Sequence, residues 1–203
     1  MKTRTYNSEL RHSEAKERRG RILTCAKTLF QKEGFDFVTI EKLAQVAEVS
    51  APTIYSLFQS KRGVLRAIMD ESFPIEQFEA LVNESKREKS PQVRLIISAK
   101  ITRQIYDAER EQMDIFQSAS VLAPEFKELE REREQRRYKR QEMTINAMVR
   151  EKSLQEGLSA AKARDILWAF TGRDMYRMFV IERGWPSDEY EKWLANILIS
   201  ALL

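Results

Sequence analysis

Side chains that could bind phosphate are concentrated in one stretch of this 203-residue chain, between residues 39 and 61. They are the hydroxyls and the ammonium group of Thr39, Ser50, Thr53, Tyr55, Ser56 and Lys61. Hydroxyls donate hydrogen bonds to phosphate oxygens, and an ammonium group pairs with the phosphate charge. The chemistry of this set favours contact with a nucleic-acid backbone.

Catalytic groups are not arranged for catalysis anywhere in the sequence. We find no glycine-rich phosphate loop, no carboxylate pair in a plausible cleft, and no Ser/His/Asp or Cys/His arrangement. With one histidine, His12, and one cysteine, Cys25, a zinc site is not expected. We interpret Cys25 as a small buried side chain, with a redox-sensing thiol as the alternative. The sequence predicts a protein that is not an enzyme and holds neither a metal nor a cofactor.

Two short helices joined by a tight turn are predicted to position the hydroxyls. Thr39 can cap the first helix, in which apolar residues recur at i, i+3 and i+4. The second helix begins near Ser50 or Ala51 and has Pro52 in its first turn, where a missing N–H costs nothing. Three of its side chains are expected to point inward, namely Ile54, Leu57 and Phe58. This is the layout of a helix-turn-helix, whose second helix offers its outer face to a DNA major groove.

Charge is divided unevenly along the chain. Residues 1–66 carry 13 Lys and Arg against 7 Asp and Glu, a net charge of +6, whereas residues 67–203 carry 22 against 24, a net charge of −2. The excess of positive over negative charge is thus confined to the part with the predicted helix-turn-helix, as expected of a phosphate-binding module joined to a neutral domain.

Composition and periodicity predict an all-α protein of two domains, because Gly and Pro are scarce, with 6 and 5 copies. We place an N-terminal helix-turn-helix DNA-binding domain at residues 1–72 and a C-terminal helical domain at residues 73–203. Residues 1–13 are predicted to be a flexible basic arm, which alternatively reaches phosphates or a minor groove. The first helix is expected at Glu14–Lys32, and Gly34 ends it.

Two further features bear on the class of protein. The segment KELEREREQRRYKRQE, within a long helix predicted from Pro124 to about Lys152, mixes charge signs at helical spacing. We interpret it as a solvated helix, with a second nucleic-acid surface as the alternative. No apolar run approaches the ~18 residues that cross a bilayer, and the N-terminus is polar, so we expect a cytoplasmic protein.

A resemblance to TetR-family transcriptional regulators extends across roughly residues 14–70. The N-terminal domain of that family is similar to the run AKTLFQKEGFDFVTIEKLAQVAEVSAPTIYSLFQSKRGVL. The matching features are LF before Gly-Phe, the Thr before IEKLA, the VS turn, T-x-Y with an aromatic residue three positions later, and S-K before the next helix. The last two helices are also similar to those of a subset of the family.

The resemblance implies a homodimeric transcriptional regulator that binds a double-stranded DNA operator. We expect a repressor that a small-molecule ligand in the C-terminal domain releases from DNA. The alternative is a DNA-binding scaffold whose C-terminal domain docks a protein partner without ligand-driven release.

The DNA-contacting positions of the family carry over one at a time. Thr39, Tyr55 and Lys61 resemble residues that contact phosphates. Positions that face base edges or nearby phosphates are matched by Ser50, Ala51, Pro52, Thr53 and Ser56. Because the second helix lacks Arg, Asn and Gln, base specificity is expected to rest on hydroxyls, methyl contacts and DNA shape.

Two positions depart from the family pattern. Glu48 occupies a turn position where the family often has Gly, and a side chain there costs on the order of 1 kcal/mol if φ is positive. Gly63 stands where an acidic residue often completes a capping box with Ser60. Both departures predict a slightly less stable DNA-binding domain.

Residues of the C-terminal domain are assigned to a ligand pocket and a dimer surface. The pocket is predicted from side chains that are apolar or polarisable, with a few polar neighbours, namely Ile101, Gln104, Ile105, Phe116, Met143, Met148, Trp168 and Met175. Ordinary core packing is the alternative for each of them. The dimer surface is predicted in the apolar C-terminal helix pair, at Phe170, Phe179, Trp193, Ile197 and Ala201.

Overall fold

The computed structural model describes the backbone of residues 3–71, 75–110, 113 and 124–203, and the side chains of residues 13–71, 75–110, 113 and 127–203. Within these ranges the regular structure is helical and there is no strand, which confirms the predicted all-α class. None of the described helices is long and apolar enough to cross a membrane.

The described helices fall into two compact units, the first taking in residues 1–72 and 111–129 and the second residues 73–110 and 130–203, so far as these are described. In chain order the helices are α1 (Thr3–Glu33), α2 (Ile40–Val46), α3 (Ala51–Phe58), α4 (Lys61–Glu71), α5 (Ile75–Arg87), α6 (Pro91–Ala108), α7 (Pro124–Glu151), α8 (Ala160–Phe170), α9 (Arg173–Tyr176), a π-helical turn (Arg177–Glu182) and α10 (Ser187–Leu202).

The helix α1 begins much earlier than the sequence predicts. Residues 3–13 are helical, so the flexible arm predicted there is wrong over these residues. The chain has neither Pro nor Gly before Gly20, so nothing in this segment stops the helix. The predicted C-terminal end is confirmed, since Gly34 has φ +86° and its N–H donates to the carbonyl oxygen of Phe30.

The core of the first unit is built from one face of each of its helices. The helices α1 and α4 supply Ile22, Leu23, Ala26, Leu29, Phe30, Val64, Leu65, Ile68 and Met69. The predicted inward residues of α2, which are Ile40, Leu43 and Ala44, are all buried. Cys25 packs against this core and is partly buried, and its thiol donates to the carbonyl oxygen of Val46 at 3.8 Å. The cysteine therefore behaves largely as a small apolar side chain.

Three tyrosines in mutual contact lie in the core of the second unit. The Tyr176 ring contacts those of Tyr106 and Tyr190, at centroid distances of 5.6 Å and 5.5 Å, and all three residues are buried. The Tyr106 hydroxyl donates to the carbonyl oxygen of Thr171 at 3.3 Å, and the Tyr176 hydroxyl donates to Asp107. The tilted and edge-to-face ring contacts and these hydrogen bonds join α6 to α9 and α10.

The helix α7 is not the fully solvated helix that its charge pattern predicts. Arg133 and Arg137, one turn apart, have side chains only 18% and 13% exposed. Arg133 pairs with the buried carboxylate of Glu109, and Arg173 of α9 donates two hydrogen bonds to Glu130. One side of the helix thus places charged groups inside the second unit, where their partners come from other helices.

Candidate nucleic-acid interface

Thr39 caps α2 as predicted. Its backbone is extended, with φ −94° and ψ 161°, and its Oγ1 accepts a hydrogen bond of 3.1 Å from the N–H of Lys42. The Thr39 side chain is exposed. Because the oxygen is the acceptor in this bond, the hydroxyl proton can still be donated to a ligand such as a phosphate.

A Schellman motif forms the turn between α2 and α3. The N–H of Val49 donates to the carbonyl oxygen of Ala44, and the N–H of Glu48 donates to that of Gln45. Glu48 adopts the left-handed conformation, with φ 52°. The condition for strain is therefore met, since a residue with a side chain stands at positive φ, at a cost of about 1 kcal/mol.

Two hydroxyls that bind each other lie at the start of α3. Ser50 is the N-cap, and its Oγ accepts a hydrogen bond from the Thr53 N–H at 3.3 Å and lies 2.8 Å from the Thr53 Oγ1. One hydroxyl proton is used in that contact, so the other remains for an external acceptor. Pro52 is exposed in the first turn, as predicted, and Ala51 packs partly against the core.

The outer face of α3 carries more apolar surface than the sequence predicts. Ile54 and Phe58 are buried, but Leu57 is 40% exposed, so its predicted inward position is wrong. The helix has only 8 residues, and packing covers the side of Ile54 and Phe58 while the neighbouring side stays open. Leu57 therefore adds to an exposed face that includes Tyr55, which is 48% exposed, and Ser56.

Lys61, the first residue of α4, has partners within the first unit. Its Nζ donates to the carbonyl oxygens of Phe35 at 2.8 Å and Asp36 at 3.3 Å, and lies 4.4 Å from the centre of the Phe35 ring. An ammonium group has three N–H donors, so one remains for an external acceptor. Sequence reasoning missed this internal role, because the partners lie some 25 residues away and no local spacing indicates them.

Gly63 allows a close approach of two backbone segments. The Ser60 Oγ accepts a hydrogen bond from the Gly63 N–H at 3.0 Å and so caps α4. A Cβ at residue 63 would overlap the carbonyl oxygen of Phe58. The glycine is therefore required by this backbone geometry, and the lower stability expected from the missing capping box stays a prediction.

The residues predicted to line a ligand pocket do not all lie in the interior. Five of them are buried or partly buried, namely Ile101, Gln104, Ile105, Met148 and Met175. Met143 and Trp168 are 53% and 37% exposed and lie at the surface. Phe116 lies outside the described residues. The pocket as a whole stays a prediction.

A polar interior in the second unit was missed by sequence reasoning. Gln141 and Arg137 both donate to the Thr171 Oγ1, at 2.7 Å and 2.8 Å. The buried polar atoms that find no hydrogen-bond partner among the described residues include the Glu109 Oε2, the Gln141 Oε1 and the Tyr190 hydroxyl. Buried polar groups normally have hydrogen-bond partners, so these atoms are available to form hydrogen bonds with a small polar molecule or with water. No group of three or more potential metal ligands occurs in the described part of the chain.

The predicted dimer residues are each partly buried in the single chain, namely Phe170, Phe179, Trp193, Ile197 and Ala201. The rings of Phe179 and Trp193 are 4.5 Å apart, and the Trp185 ring is 4.7 Å from that of Phe179. Phe179 lies in the π-helical turn, and Trp185 lies in the connection to α10, outside the helix pair on which the sequence prediction was based. Together these rings form a partly exposed aromatic cluster.

Comparison with known protein families places the helix-turn-helix within a matched segment. Residues 22–68, from within α1 to within α4, match the model of the tetR family of bacterial regulatory proteins. No curated protein matches the chain.

Solved structures with the same fold are bacterial regulators of low sequence identity. A putative TetR-family transcriptional regulator from Syntrophomonas wolfei has a TM-score of 0.71 and 18% identity, with 90% of this chain and 93% of that chain covered. NalD, the secondary repressor of the MexAB-OprM multidrug efflux pump in Pseudomonas aeruginosa, has a TM-score of 0.72 and 17% identity, with 93% of this chain and 98% of that chain covered. FadR from Bacillus subtilis, solved with stearoyl-CoA, has a TM-score of 0.70 and 14% identity, with 90% of this chain and 98% of that chain covered.

Proposed function

We propose that this chain is a TetR-family transcriptional regulator, and that it represses transcription as a homodimer bound to operator DNA. A small molecule bound in the second unit releases the dimer from its operator. The observation that carries the proposal is the exposed, hydroxyl-bearing face of α3, which lies inside the residues that match the family model.

Two kinds of DNA contact are proposed for this face. Thr39, Tyr55 and the remaining donor of Lys61 bind phosphates and so position the protein without reading sequence. The residues at the start and along the outer face of α3, which are Ser50, Ala51, Pro52, Thr53 and Ser56, face the base edges. Their short side chains allow the helix to lie deep in the major groove, where hydroxyls and methyl groups contact bases.

Dimerisation through the second unit is supported by its C-terminal aromatic cluster. Phe179, Trp185 and Trp193 pack on one another while staying partly exposed, and a second copy would bury this apolar surface. A helix-turn-helix of this kind reads two half-sites about one helical turn or more apart, which requires two headpieces. The symmetric dimer supplies both headpieces.

Ligand binding in the second unit is supported by the polar atoms that lack partners there. A ligand with hydrogen-bond donors would satisfy the Glu109 Oε2 and the Gln141 Oε1, which are buried acceptors. In the similar FadR structure a ligand, stearoyl-CoA, is bound. Release of DNA requires a coupling free energy between the two sites, which is typically ~1–3 kcal/mol.

The experiment begins with selection of an operator from a pool of random duplexes by the full chain. The proposal predicts enriched sequences with two inverted half-sites, and a mobility shift that a member of a metabolite and drug library reverses. Operator binding that no small molecule reverses, but that recruits a second protein to the DNA, would favour the scaffold function instead. Failure to enrich any sequence would overturn DNA-operator binding itself.

A further inference from the structure

Residues 13–21 of α1 form a stretch of helix that the described residues leave largely exposed. Every side chain from Ser13 to Arg19 is exposed, and the buried stripe of the helix begins only at Ile22. Isolated helices are marginally stable in water, because most helical stability comes from packing. We call residues 13–21 the exposed α1 segment.

Opposite charges four residues apart favour a helix in the exposed α1 segment without forming ion pairs among the described residues. Glu14 stands four residues before Arg18, and Glu17 stands four residues before Arg21, an order that supports a helix. Lys16 adds a further cation. Among the described residues no ion pair involves Lys16, Arg18 or Arg21, so these cations are available to an external anion.

The C-terminal end of the exposed α1 segment lies beside the end of the recognition helix, α3. The Arg19 guanidinium lies over the ring of Phe58, the last residue of α3, at 5.0 Å from the ring centre. A surface groove of about 340 Å³ follows this junction and is lined in part by Arg19, Leu57 and Arg66. The cations of the exposed α1 segment therefore lie next to α3, the helix that we propose enters the major groove.

This segment precedes the family match, which starts at residue 22. Residues 3–21 carry six basic and three acidic side chains, which fits a polyanion rather than a basic or apolar partner.

We propose that the exposed α1 segment binds the phosphate backbone of DNA that flanks each half-site, through Lys16, Arg18 and Arg21. The inference rests on the proposed DNA binding and extends the footprint beyond the recognition helix. Binding to DNA gives the exposed α1 segment a partner that it lacks within the chain. These contacts add affinity without adding base specificity.

The test uses the full chain with the triple variant Lys16→Gln, Arg18→Gln, Arg21→Gln and the matched control Glu14→Gln, Glu17→Gln. Both variants remove the same helix-supporting pairs, but only the first removes cations. Affinity is measured over a salt series for two duplexes of the selected operator, one with long flanks and one trimmed to the half-sites. Circular dichroism reports whether either variant loses helix.

The proposal predicts that the triple variant loses affinity for the long duplex and lowers the slope of log K against log salt by up to about 5, because the dimer loses three cations in each protomer. Its affinity for the trimmed duplex changes little, and the control binds the long duplex at least as tightly as the wild type. An unchanged slope on the long duplex, with Tyr55→Phe still weakening binding, overturns this inference and leaves the proposed function standing. Equal losses on both duplexes overturn the flanking position, and absence of DNA binding by the wild type overturns both proposals.

Discussion

The Lys61 Nζ donates a hydrogen bond of 2.8 Å to the carbonyl oxygen of Phe35 and lies over the ring of the same residue. The contact fastens the start of α4 to the loop that leads into α2 and to its cap, Thr39. The Lys61 side chain thus links the fold of the first unit to the position of Thr39, a residue that we propose contacts a DNA phosphate.

Lys61→Met keeps the aliphatic stem of the side chain and removes its N–H donors. We expect the free energy of unfolding to fall by about 1 kcal/mol, because the carbonyl oxygens of Phe35 and Asp36 lose a donor at a partly exposed site. DNA affinity should fall as well, since Lys61 loses the donor proposed to bind phosphate and Thr39 is less well positioned. Urea denaturation and DNA titration measure the two effects. With Lys61→Arg as the charge-conserving control, full DNA affinity in the Met variant would argue against this linkage.

Two glycines offer a matched pair of substitutions with opposite expected signs. A Cβ at residue 63 would overlap the carbonyl oxygen of Phe58, so Gly63→Ala should destabilise the chain by about 1–3 kcal/mol. A Cβ at Gly20, within α1, meets nothing within 4 Å, so Gly20→Ala should stabilise it by about 0.5–1 kcal/mol. Thermal unfolding of both variants provides the comparison. A neutral Gly63→Ala would mean that the backbone at Phe58 yields easily.

The left-handed residue of the first turn predicts a gain in stability. Glu48→Gly removes a side chain at φ 52° and should raise the free energy of unfolding by about 1 kcal/mol. Glu48→Ala retains a Cβ and serves as the control that separates backbone strain from charge. If both variants gain equally, the cost arises from the carboxylate rather than from the conformation.

Predictability from sequence differs between local and distant interactions. The cap at Thr39 was predicted correctly because its side chain reaches a backbone N–H only three residues away, and the caps at Ser50 and Ser60 have the same short spacing. The exposure of Leu57 depends on which side of a short helix its neighbours cover. Which side is covered depends on tertiary contacts, and these cannot be deduced from the periodicity of the sequence.

The second unit shows the same division more strongly. The charge pattern of α7 indicated a helix correctly, but the partners that draw Arg133 and Arg173 inward, Glu109 and Glu130, lie 24 and 43 residues away. No local spacing indicates pairs at such separations. For the same reason the polar interior around Thr171 was not anticipated, whereas the apolar character of α10 was.

Alkaline pH should destabilise the second unit through its three buried tyrosines, Tyr106, Tyr176 and Tyr190. Burial raises the pKa of Tyr106, Tyr176 and Tyr190, and the hydrogen bond to Asp107 adds to the effect at Tyr176. Their contribution to stability is complete below about pH 10, the pKa of an unfolded tyrosine, and is lost as the pH rises from there through the higher folded-state pKa.

The effect can be assigned to one residue by substitution. Tyr190→Phe removes a hydroxyl without a described partner and should make the alkaline loss of unfolding free energy smaller, while the exposed Tyr55→Phe should not. Denaturation between neutral pH and pH values above about 10 measures both variants. Identical alkaline profiles for wild type and Tyr190→Phe would show that Tyr190 does not contribute.

Tyr55 offers a direct test of whether the exposed face of α3 binds DNA. Tyr55→Phe removes one hydroxyl from an exposed ring and should leave the fold intact. The measurement is the affinity of wild type and variant for the selected operator and for a random duplex. A lost phosphate hydrogen bond of about 0.5–1.5 kcal/mol predicts that both affinities fall by the same factor, about 2- to 10-fold, with the operator preference unchanged. Unchanged affinity for both duplexes would contradict the proposed docking of α3.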